Sequence, residues 1–152
     1  MWQLRELDLG DDRTAREVHG IGLRAYAVEA ELIGHPGIPA LTESLDEMRA
    51  SPLRWLGAVH GSRPVGFLAW IRSPADELDL VRLCVDPRWF RRGIARRLLG
   101  HVLAAEPTGD VLVSTGAANE PALRLYRSLG FAETGTFEPE PGLRVTELRL
   151  GR

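Results

Sequence analysis

The segment at residues 83–99, LCVDPRWFRRGIARRLL, constrains the fold of this chain more than any other. It predicts the end of a buried strand at residues 83–85, an Asp86-Pro87 turn, a loop, and a helix that opens at Gly93. A strand that runs through small residues into a helix points several unpaired backbone N–H groups in one direction. Such a helix start favours a phosphate group. Nearby arginines add positive potential: Arg88, Arg91, Arg92, Arg96 and Arg97.

Length and charge limit the classes of protein to which the chain can belong. Its 152 residues predict a single domain over residues 1–152, large enough to bury a core. A formal net charge of −2 argues against a general nucleic-acid binder. No apolar run approaches the roughly 18 residues of a membrane span. No signal-peptide pattern opens the chain, and a lone cysteine cannot form an intramolecular disulfide, so a cytoplasmic protein is expected.

Composition also excludes several kinds of chemistry. All 19 basic residues are arginine, which rules out a catalytic lysine, a Schiff base and a Walker-type phosphate loop. The four histidines show no metal-ligand spacing with one another or with Cys84, so no metal site is predicted. Cys84 lies in an apolar strand, where a buried structural thiol is expected.

The remaining elements follow from hydrophobic periodicity and from turn and cap residues. Asp11 or Asp12 is predicted to cap the first helix. Ser44 and Glu47 are predicted to form a capping box at the second helix, and Gly130 to end the fourth. Strands are predicted at residues 3–7, 54–59, 65–71, 78–85, 111–115, 132–138 and 143–150, and helices at residues 12–32, 42–50, 93–106 and 119–129.

A second motif lies downstream, Asn119-x-x-Ala122-x-x-Leu125-Tyr126-x-x-x-Gly130-Phe131. Together with RRGIA after the strand ending at Val85, it resembles the GNAT superfamily of N-acetyltransferases, most specifically over residues 79–131. The family's loop pattern is Arg or Gln, two residues, Gly, one residue, then Gly or Ala. Gly93 and Ala95 match the last two positions, whereas Phe90 stands at the first. This departure affects a side-chain contact and leaves the backbone donors intact.

The resemblance implies an α/β fold in which a mixed, mainly antiparallel sheet of about seven strands is flanked by about four helices. The sheet is expected to splay between the strand ending at Val85 and the strand starting at Val111, around the cofactor. The first two helices and the loop between them are expected to wall the acceptor site. This segment carries carboxylates that form either a solvated helix face or a region that attracts a cationic amine: Glu29, Glu31, Glu43, Asp46 and Glu47.

The resemblance further implies an acyltransferase that passes the acetyl group of acetyl-CoA to a primary amine by direct attack on the thioester, with no acyl-enzyme. The pyrophosphate is expected on the N–H groups of residues 91–96, and the pantetheine arm alongside Leu83 and Val85. The Val85 N–H is the expected donor to the thioester oxygen, where charge develops in the transition state. Asn119 is interpreted either as a helix cap or as a partner of the pantetheine arm. The expected cofactor-binding residues are Leu83, Val85, Arg91, Arg92, Gly93, Ile94, Ala95, Arg96, Asn119 and Tyr126.

Two residues are predicted to be catalytic. Tyr126 matches the family tyrosine that faces the cofactor sulfur, and a phenol can protonate a leaving thiolate; the alternative is a core aromatic. Asp79 lies six residues before Val85, and strand alternation therefore places both on one face, where Asp79 is a candidate general base. Glu77 and a water molecule remain alternatives, because an aspartate of ordinary pKa is a poor base for an amine.

The expected acceptor is a small molecule or a protein that offers an amine, at an N-terminus or on a side chain. The sequence does not name it, because acceptor loops vary on one scaffold. Neither nucleic acid nor membrane is expected as a partner. The sequence does not decide whether the chain forms a homodimer. An acyl-CoA-binding module without turnover is the main alternative, and the presence of Tyr126 favours the enzyme. A nucleic-acid binder that uses the arginines, Trp89 and Phe90 is a further alternative, which the charge balance disfavours.

Overall fold

A computed structural model describes residues 2–152. Its strands are β1 (Trp2–Glu6), β2 (Arg54–His60), β3 (Arg63–Arg72), β4 (Leu78–Val85), β5 (Val111–Gly116), β6 (Ala132–Glu140) and β7 (Leu143–Leu150). They form one seven-stranded sheet in the order β1-β2-β3-β4-β5-β7-β6. Its helices are α1 (Asp12–Ile33), α2 (Leu45–Ala50), α3 (Ile94–Ala105) and α4 (Glu120–Ser128).

The helix ends are set by residues that the sequence identifies. Asp11 caps α1, because its side chain accepts a hydrogen bond from the Thr14 N–H. Ser44 and Glu47 form the predicted capping box at α2. That helix begins at Leu45 rather than at residue 42, because the capping residue itself holds an extended backbone. After α4, Gly130 adopts a left-handed φ of +97°, as predicted for a residue that ends a helix.

The sheet is mainly antiparallel, and β4 and β5 form a parallel pair. The chain reaches β5 from β4 by crossing over through α3, which allows the two strands to run in the same direction. Residues 78–80 of β4 pair with residues 111–113 of β5, and no pairing follows. Beyond that point β4 stays with β3, and β5 stays with β7. The predicted splay between the strand ending at Val85 and the strand starting at Val111 is confirmed, and so is the predicted fold class.

Apolar residues form a separate cluster on each face of the sheet. One cluster joins α3 and α4 to the sheet through residues such as Leu98 and Leu123. The other joins α1 and α2 to the opposite face and includes Ile21. β4 contributes to both, with Leu80 in the first cluster and Cys84 in the second. The splay is therefore reached by helices from both sides of the sheet.

A β-bulge in β4 changes which of its side chains share a face. Two successive residues of β3 pair with Leu80 and Arg82 of β4, so that Val81 is an extra residue. As a result Leu80 and Leu83 pack against the same apolar cluster, although one number is even and the other odd. Simple alternation along β4 therefore fails at Val81.

Candidate active site

A cavity of about 660 Å³ occupies the splay between β4 and β5. Its walls come from α1, the ends of β4 and β5, the loop before α3, the first turn of α3, and α4. Every residue that the sequence assigns to cofactor binding lines this cavity: Leu83, Val85, Arg91, Arg92, Gly93, Ile94, Ala95, Arg96, Asn119 and Tyr126. The structure brings the predicted set together, and the role of each member in binding stays a prediction.

The start of α3 leaves backbone donors free at one end of the cavity. The first hydrogen bond of the helix runs from the Arg97 N–H to the Gly93 carbonyl oxygen at 3.1 Å. The N–H groups of residues 94–96 therefore have no intrahelical acceptor. Gly93 adopts a φ of +75°, and apart from its two chain neighbours no residue has an atom within 4 Å of the position that a Cβ would take. A phosphate group can approach the backbone at this turn.

Arginines make the same end of the cavity cationic. Arg91, Arg92 and Arg96 line it, and within residues 2–152 none of them forms an ion pair with a carboxylate. The Arg92 guanidinium lies 4.7 Å from the ring centroid of Trp89, which holds it beside the loop. Phe90, at the position where the family has Arg or Gln, is 44% exposed and also lines the cavity. The departure at Phe90 leaves the helix donors in place.

Asp86 anchors the loop to α1. Its carboxylate accepts hydrogen bonds from Nη2 of Arg88 and from Nη2 of Arg24, both at 2.9 Å. The residue is 3% exposed. Hydrogen bonding by Arg88, supported by Arg24, lowers the pKa of Asp86 to about 2. The carboxylate is therefore ionised at neutral pH and ties the path into α3 to the opposite layer of the fold.

The end of β4 offers a second binding surface. The Asp86 N–H donates to the Val65 carbonyl oxygen at 2.8 Å, which makes these two residues a hydrogen-bonded pair of the antiparallel ladder. The adjacent pair, Val85 with Gly66, is therefore a non-hydrogen-bonded pair. The N–H and C=O groups of Val85 point away from β3 and into the splay, where β5 does not pair with them. An extended ligand can add to this edge like a strand.

Tyr126 reaches the cavity from α4. It is 4% exposed and packs edge-to-face on Phe131 with a centroid distance of 5.6 Å. Its hydroxyl has no hydrogen-bond partner in the part of the chain that the structure describes. Burial, followed by the nearby Glu29 and Cys84, raises the pKa of Tyr126. The side chain is both a core aromatic and a wall of the cavity, and it keeps its proton at neutral pH.

Asn119 links α4 to β5. Its side-chain oxygen accepts a hydrogen bond from the Ala122 N–H at 3.4 Å, and its amide donates to Thr115 Oγ1 at 3.3 Å. The interpretation of Asn119 as a helix cap is confirmed. A contact between Asn119 and the pantetheine arm stays a prediction.

Cys84 lines the cavity but has the properties of a structural thiol. It is buried, and this burial raises the pKa of Cys84 to about 12. Because the thiolate is the nucleophilic form, this thiol stays protonated and unreactive at neutral pH. The prediction of a buried structural cysteine is confirmed, and the thiol's properties fit direct attack without an acyl-enzyme.

The predicted placement of Asp79 on the face of Val85 is wrong. The bulge at Val81 reverses the alternation, so that Asp79 lies opposite the face on which Leu80 and Val85 pack. Asp79 does not line the cavity. Burial, with a smaller effect of nearby carboxylates, raises the pKa of Asp79, a direction that suits a base. Its catalytic role stays a prediction that the geometry does not favour.

Glu77, the alternative base, also lies outside the cavity wall. Its carboxylate pairs with Nη1 of Arg149 at 2.7 Å, and the same nitrogen lies 2.9 Å from the Asp110 carboxylate. These contacts place Glu77 in a network at the start of β4. The network joins the starts of β4 and β5 to the end of β7, at the opposite end of these strands from the splay.

Glu29 is the cavity residue that sequence reasoning did not single out from the other carboxylates of its segment. It lines the cavity from α1. Its Oε1 accepts hydrogen bonds from Thr115 Oγ1 at 3.2 Å and from the Gly116 N–H at 3.4 Å. The sequence did contain an indication of this position. Glu29 continues the four-residue spacing of Ile21 and Ala25, which predicts that it lies on the inward face of α1.

Two further features concern metals and membranes. Across residues 2–152, no group of three or more His, Cys, Asp or Glu side chains is arranged to hold a metal ion. In the same range, no helix has the length and apolar character needed to cross a bilayer.

The fold and the cavity together define an α/β protein that opens its sheet to hold a ligand beside an anion-binding helix start. Residues 52–133 match the acetyltransferase (GNAT) domain family. N-alpha-acetyltransferase RimI of Mycobacterium tuberculosis is 35% identical over 118 residues, which cover 74% of this chain and 73% of RimI. The chain belongs to the GNAT acetyltransferase family. This finding confirms the resemblance to the family.

Two other comparisons extend this result. UPF0157 protein YqkA of Bacillus subtilis is 34% identical over 137 residues, which are 90% of this chain but 40% of YqkA. The chain thus spans less than half the length of that relative. The structure of yncA from Salmonella typhimurium with its cofactor acetyl-CoA has a TM-score of 0.75 and 16% identity, covering 99% of this chain and 94% of yncA. At this level of identity the likeness shows the fold.

Proposed function

We propose that this chain transfers the acetyl group of acetyl-CoA to a primary amine by direct attack on the thioester. One observation carries the proposal: a single continuous cavity joins the helix donors of α3, the free edge of β4 and the Tyr126 side chain. These are the features that hold a diphosphate, align an extended arm and protonate a thiolate. The family assignment and the acetyl-CoA bound to yncA support the choice of donor.

The chain's own groups hold the donor at two points. The N–H groups of residues 94–96, with the guanidinium groups of Arg91 and Arg92, suit the charge of a diphosphate. The free edge at Leu83 and Val85 suits the amide groups of a pantetheine arm, which can pair as an added strand. Holding the thioester and the amine together in this way supplies most of the rate enhancement, because it makes the reaction effectively unimolecular.

The chemistry then follows from groups at the middle of the splay. The neutral amine attacks the thioester carbon, a C–N bond forms, and negative charge develops on the carbonyl oxygen. We assign the Val85 N–H, on the free edge of β4, as the donor to that oxygen. The C–S bond then breaks, the sulfur leaves with the electron pair, and the Tyr126 hydroxyl gives it a proton. The nitrogen, which is positively charged once the C–N bond has formed, loses a proton to water, and a proton from solvent restores the phenol.

The finer identity of the acceptor is also a proposal. The RimI relative is named for acetylation of α-amino groups and shares most of its length with this chain. We therefore place the α-amino group of a polypeptide first and a small-molecule amine second. We also propose a cytoplasmic location, because a chain with a single cysteine cannot form the intramolecular disulfides that are common outside the cytoplasm.

A thiol-release assay with acetyl-CoA and peptides of varied N-terminal residue tests the proposal. Free coenzyme A is expected to appear with at least one peptide, and mass spectrometry is expected to find the acetyl group on its α-amine. The same peptides with a blocked N-terminus serve as matched controls. Tight binding of acetyl-CoA without thiol release for any amine would favour the acyl-CoA-binding module. No binding of acetyl-CoA would refute the proposed function altogether.

A further inference from the structure

The acidic residues of the first two helices differ sharply in their surroundings. The Glu43 carboxylate is held by Nη1 and Nη2 of Arg82 at 2.5 and 2.7 Å. Glu47 is engaged in the capping box of α2. Glu31 and Asp46 are exposed and do not line the cavity. Within residues 2–152, the only carboxylate of this set that lines the cavity is Glu29.

The Glu29 carboxylate keeps unused capacity. Both of its hydrogen bonds, from Thr115 Oγ1 and from the Gly116 N–H, go to Oε1. Oε2 has no hydrogen-bond donor among the described residues, and no arginine or histidine forms an ion pair with the group. A half-buried carboxylate without a cationic partner has lost part of its hydration without gaining a compensating ion pair. It is suited to receive a cation from a ligand.

Glu29 and Tyr126 approach the splay from opposite sides. Glu29 belongs to α1, whose inner residues form one apolar cluster, whereas Tyr126 belongs to the cluster on the other face. Both line the same cavity, and the Glu29 charge contributes to the raised pKa of Tyr126. The two groups therefore lie near each other across the gap between β4 and β5. A thioester held at Val85 would share this cavity with both side chains.

We infer that Glu29 is the acceptor-side residue of this enzyme: its carboxylate binds the ammonium group of the incoming amine and takes the proton that must leave before attack. This inference rests on the proposed function and assigns a residue and a charge to its acceptor. The substrate class is a primary amine that is cationic in solution. Oε1 stays anchored to β5 while Oε2 faces the ligand.

The proton balance is complete with the groups named. The ammonium group gives one proton to Glu29, and the neutral amine then attacks the thioester carbon. The nitrogen loses a second proton to water after the C–N bond has formed, and the departing sulfur gains one from Tyr126, which takes a replacement proton from water. The net products are an amide, a free thiol and one proton, which Glu29 releases to solvent before the next turnover.

The groups that face Glu29 bear on the pH dependence of this step. Tyr26 of α1, Cys84 of β4 and Tyr126 of α4 interact with its charge, and all three stay neutral at physiological pH because burial raises the pKa of each. Arg82, the cation that acts on both Tyr26 and Cys84, is already paired with Glu43. The charge of the site is therefore set by Glu29 and by the amine that it receives.

The test compares the wild-type chain with Glu29→Gln, which keeps an oxygen for the Thr115 and Gly116 bonds but removes the charge. Acetyl-CoA affinity, measured by calorimetry, is expected to stay within about twofold, since the donor site lies elsewhere in the cavity. The kcat/KM for a reactive peptide amine is expected to fall roughly a hundredfold, on the order of a lost general base. The deficit is expected to shrink as the pH rises, because more of the amine is already neutral. Glu29→Asp is expected to recover part of the activity.

Two controls separate this role from a structural one. Glu31→Gln makes the same change on an exposed position of the same helix and is expected to behave as wild type. Hydroxylamine is uncharged at neutral pH, so its acetylation is expected to lose far less in Glu29→Gln than that of the peptide. Equal losses for both nucleophiles, or unchanged kcat/KM for the peptide, would overturn the inference while leaving acetyl transfer intact. Absence of wild-type turnover with any amine would overturn the proposed function as well.

Discussion

Replacing Asp86 with asparagine tests how the loop before α3 is held. The substitution keeps the size of the side chain and removes the charge that binds Arg88 and Arg24. The pKa of Asp86 is lowered to about 2, against roughly 3.9 for a free aspartate, and at about 1.4 kcal/mol per unit this corresponds to about 2.6 kcal/mol. The Arg88 and Arg24 side chains are 77% and 49% exposed, so solvent screening reduces the expected loss to about 1–2 kcal/mol.

The pH dependence follows from the sign of the shift. Because the folded-state pKa is lowered, the contribution of Asp86 is fully present above the pKa of the unfolded chain, roughly 4, and is lost as the pH falls towards 2. Urea unfolding of wild type and Asp86→Asn at pH 7, 5 and 3 is expected to show a difference in the free energy of unfolding that persists at pH 7 and 5 and narrows at pH 3.

Asp12→Asn is the matched control, because the Asp12 side chain, which pairs with Arg49, is 69% exposed. A loss of about 0.5 kcal/mol is expected there. A difference for Asp86→Asn no larger than that of the control, or one that grows in acid, would refute the reasoning.

Three further substitutions probe the cavity. Tyr126→Phe is expected to lower kcat by about tenfold or more, as for a lost acid catalyst, with acetyl-CoA affinity nearly unchanged in calorimetry; unaltered kcat would remove the hydroxyl from the mechanism. Gly93→Glu is expected to abolish acetyl-CoA binding, because a carboxylate would occupy the phosphate position, whereas Gly93→Ala, with open space for its Cβ, is expected to cost about 1–2 kcal/mol of stability from the left-handed φ and to retain binding; equal affinities of wild type and the glutamate variant would place the diphosphate elsewhere. Asp79→Asn is expected to leave kcat/KM within about twofold across the pH profile, since it lies outside the cavity, and a loss of the size of an acid–base group would restore it as the base.

Much of the acetyl-CoA-binding side of the cavity could be predicted from the sequence, because its features depend on residues that are close together in the chain. The caps at Asp11 and Ser44 and the left-handed Gly130 each depend on residues a few positions away, and the structure reproduces them. The start of α3 is equally local, because its free N–H groups follow from the strand, loop and helix in one segment. The family motifs then placed that segment beside a splay, which the pairing of β4 with β5 confirms.

The acceptor side depended on the tertiary structure instead. The face of Asp79 was decided by a bulge at Val81, and a bulge depends on the register between neighbouring strands rather than on β4 alone. Glu29 acquired its role from contacts with Thr115 and Gly116, more than eighty residues along the chain.

The sequence by itself determined where the backbone offers donors, because capping, turn and helix-start geometry are set within a few residues. Only the tertiary structure decided which carboxylate faces the cavity, because that choice depends on how α1 lies across the gap between β4 and β5. Helical spacing restricted the inward positions of α1, but it could not show that one of them, Glu29, would meet an open splay rather than a packed core.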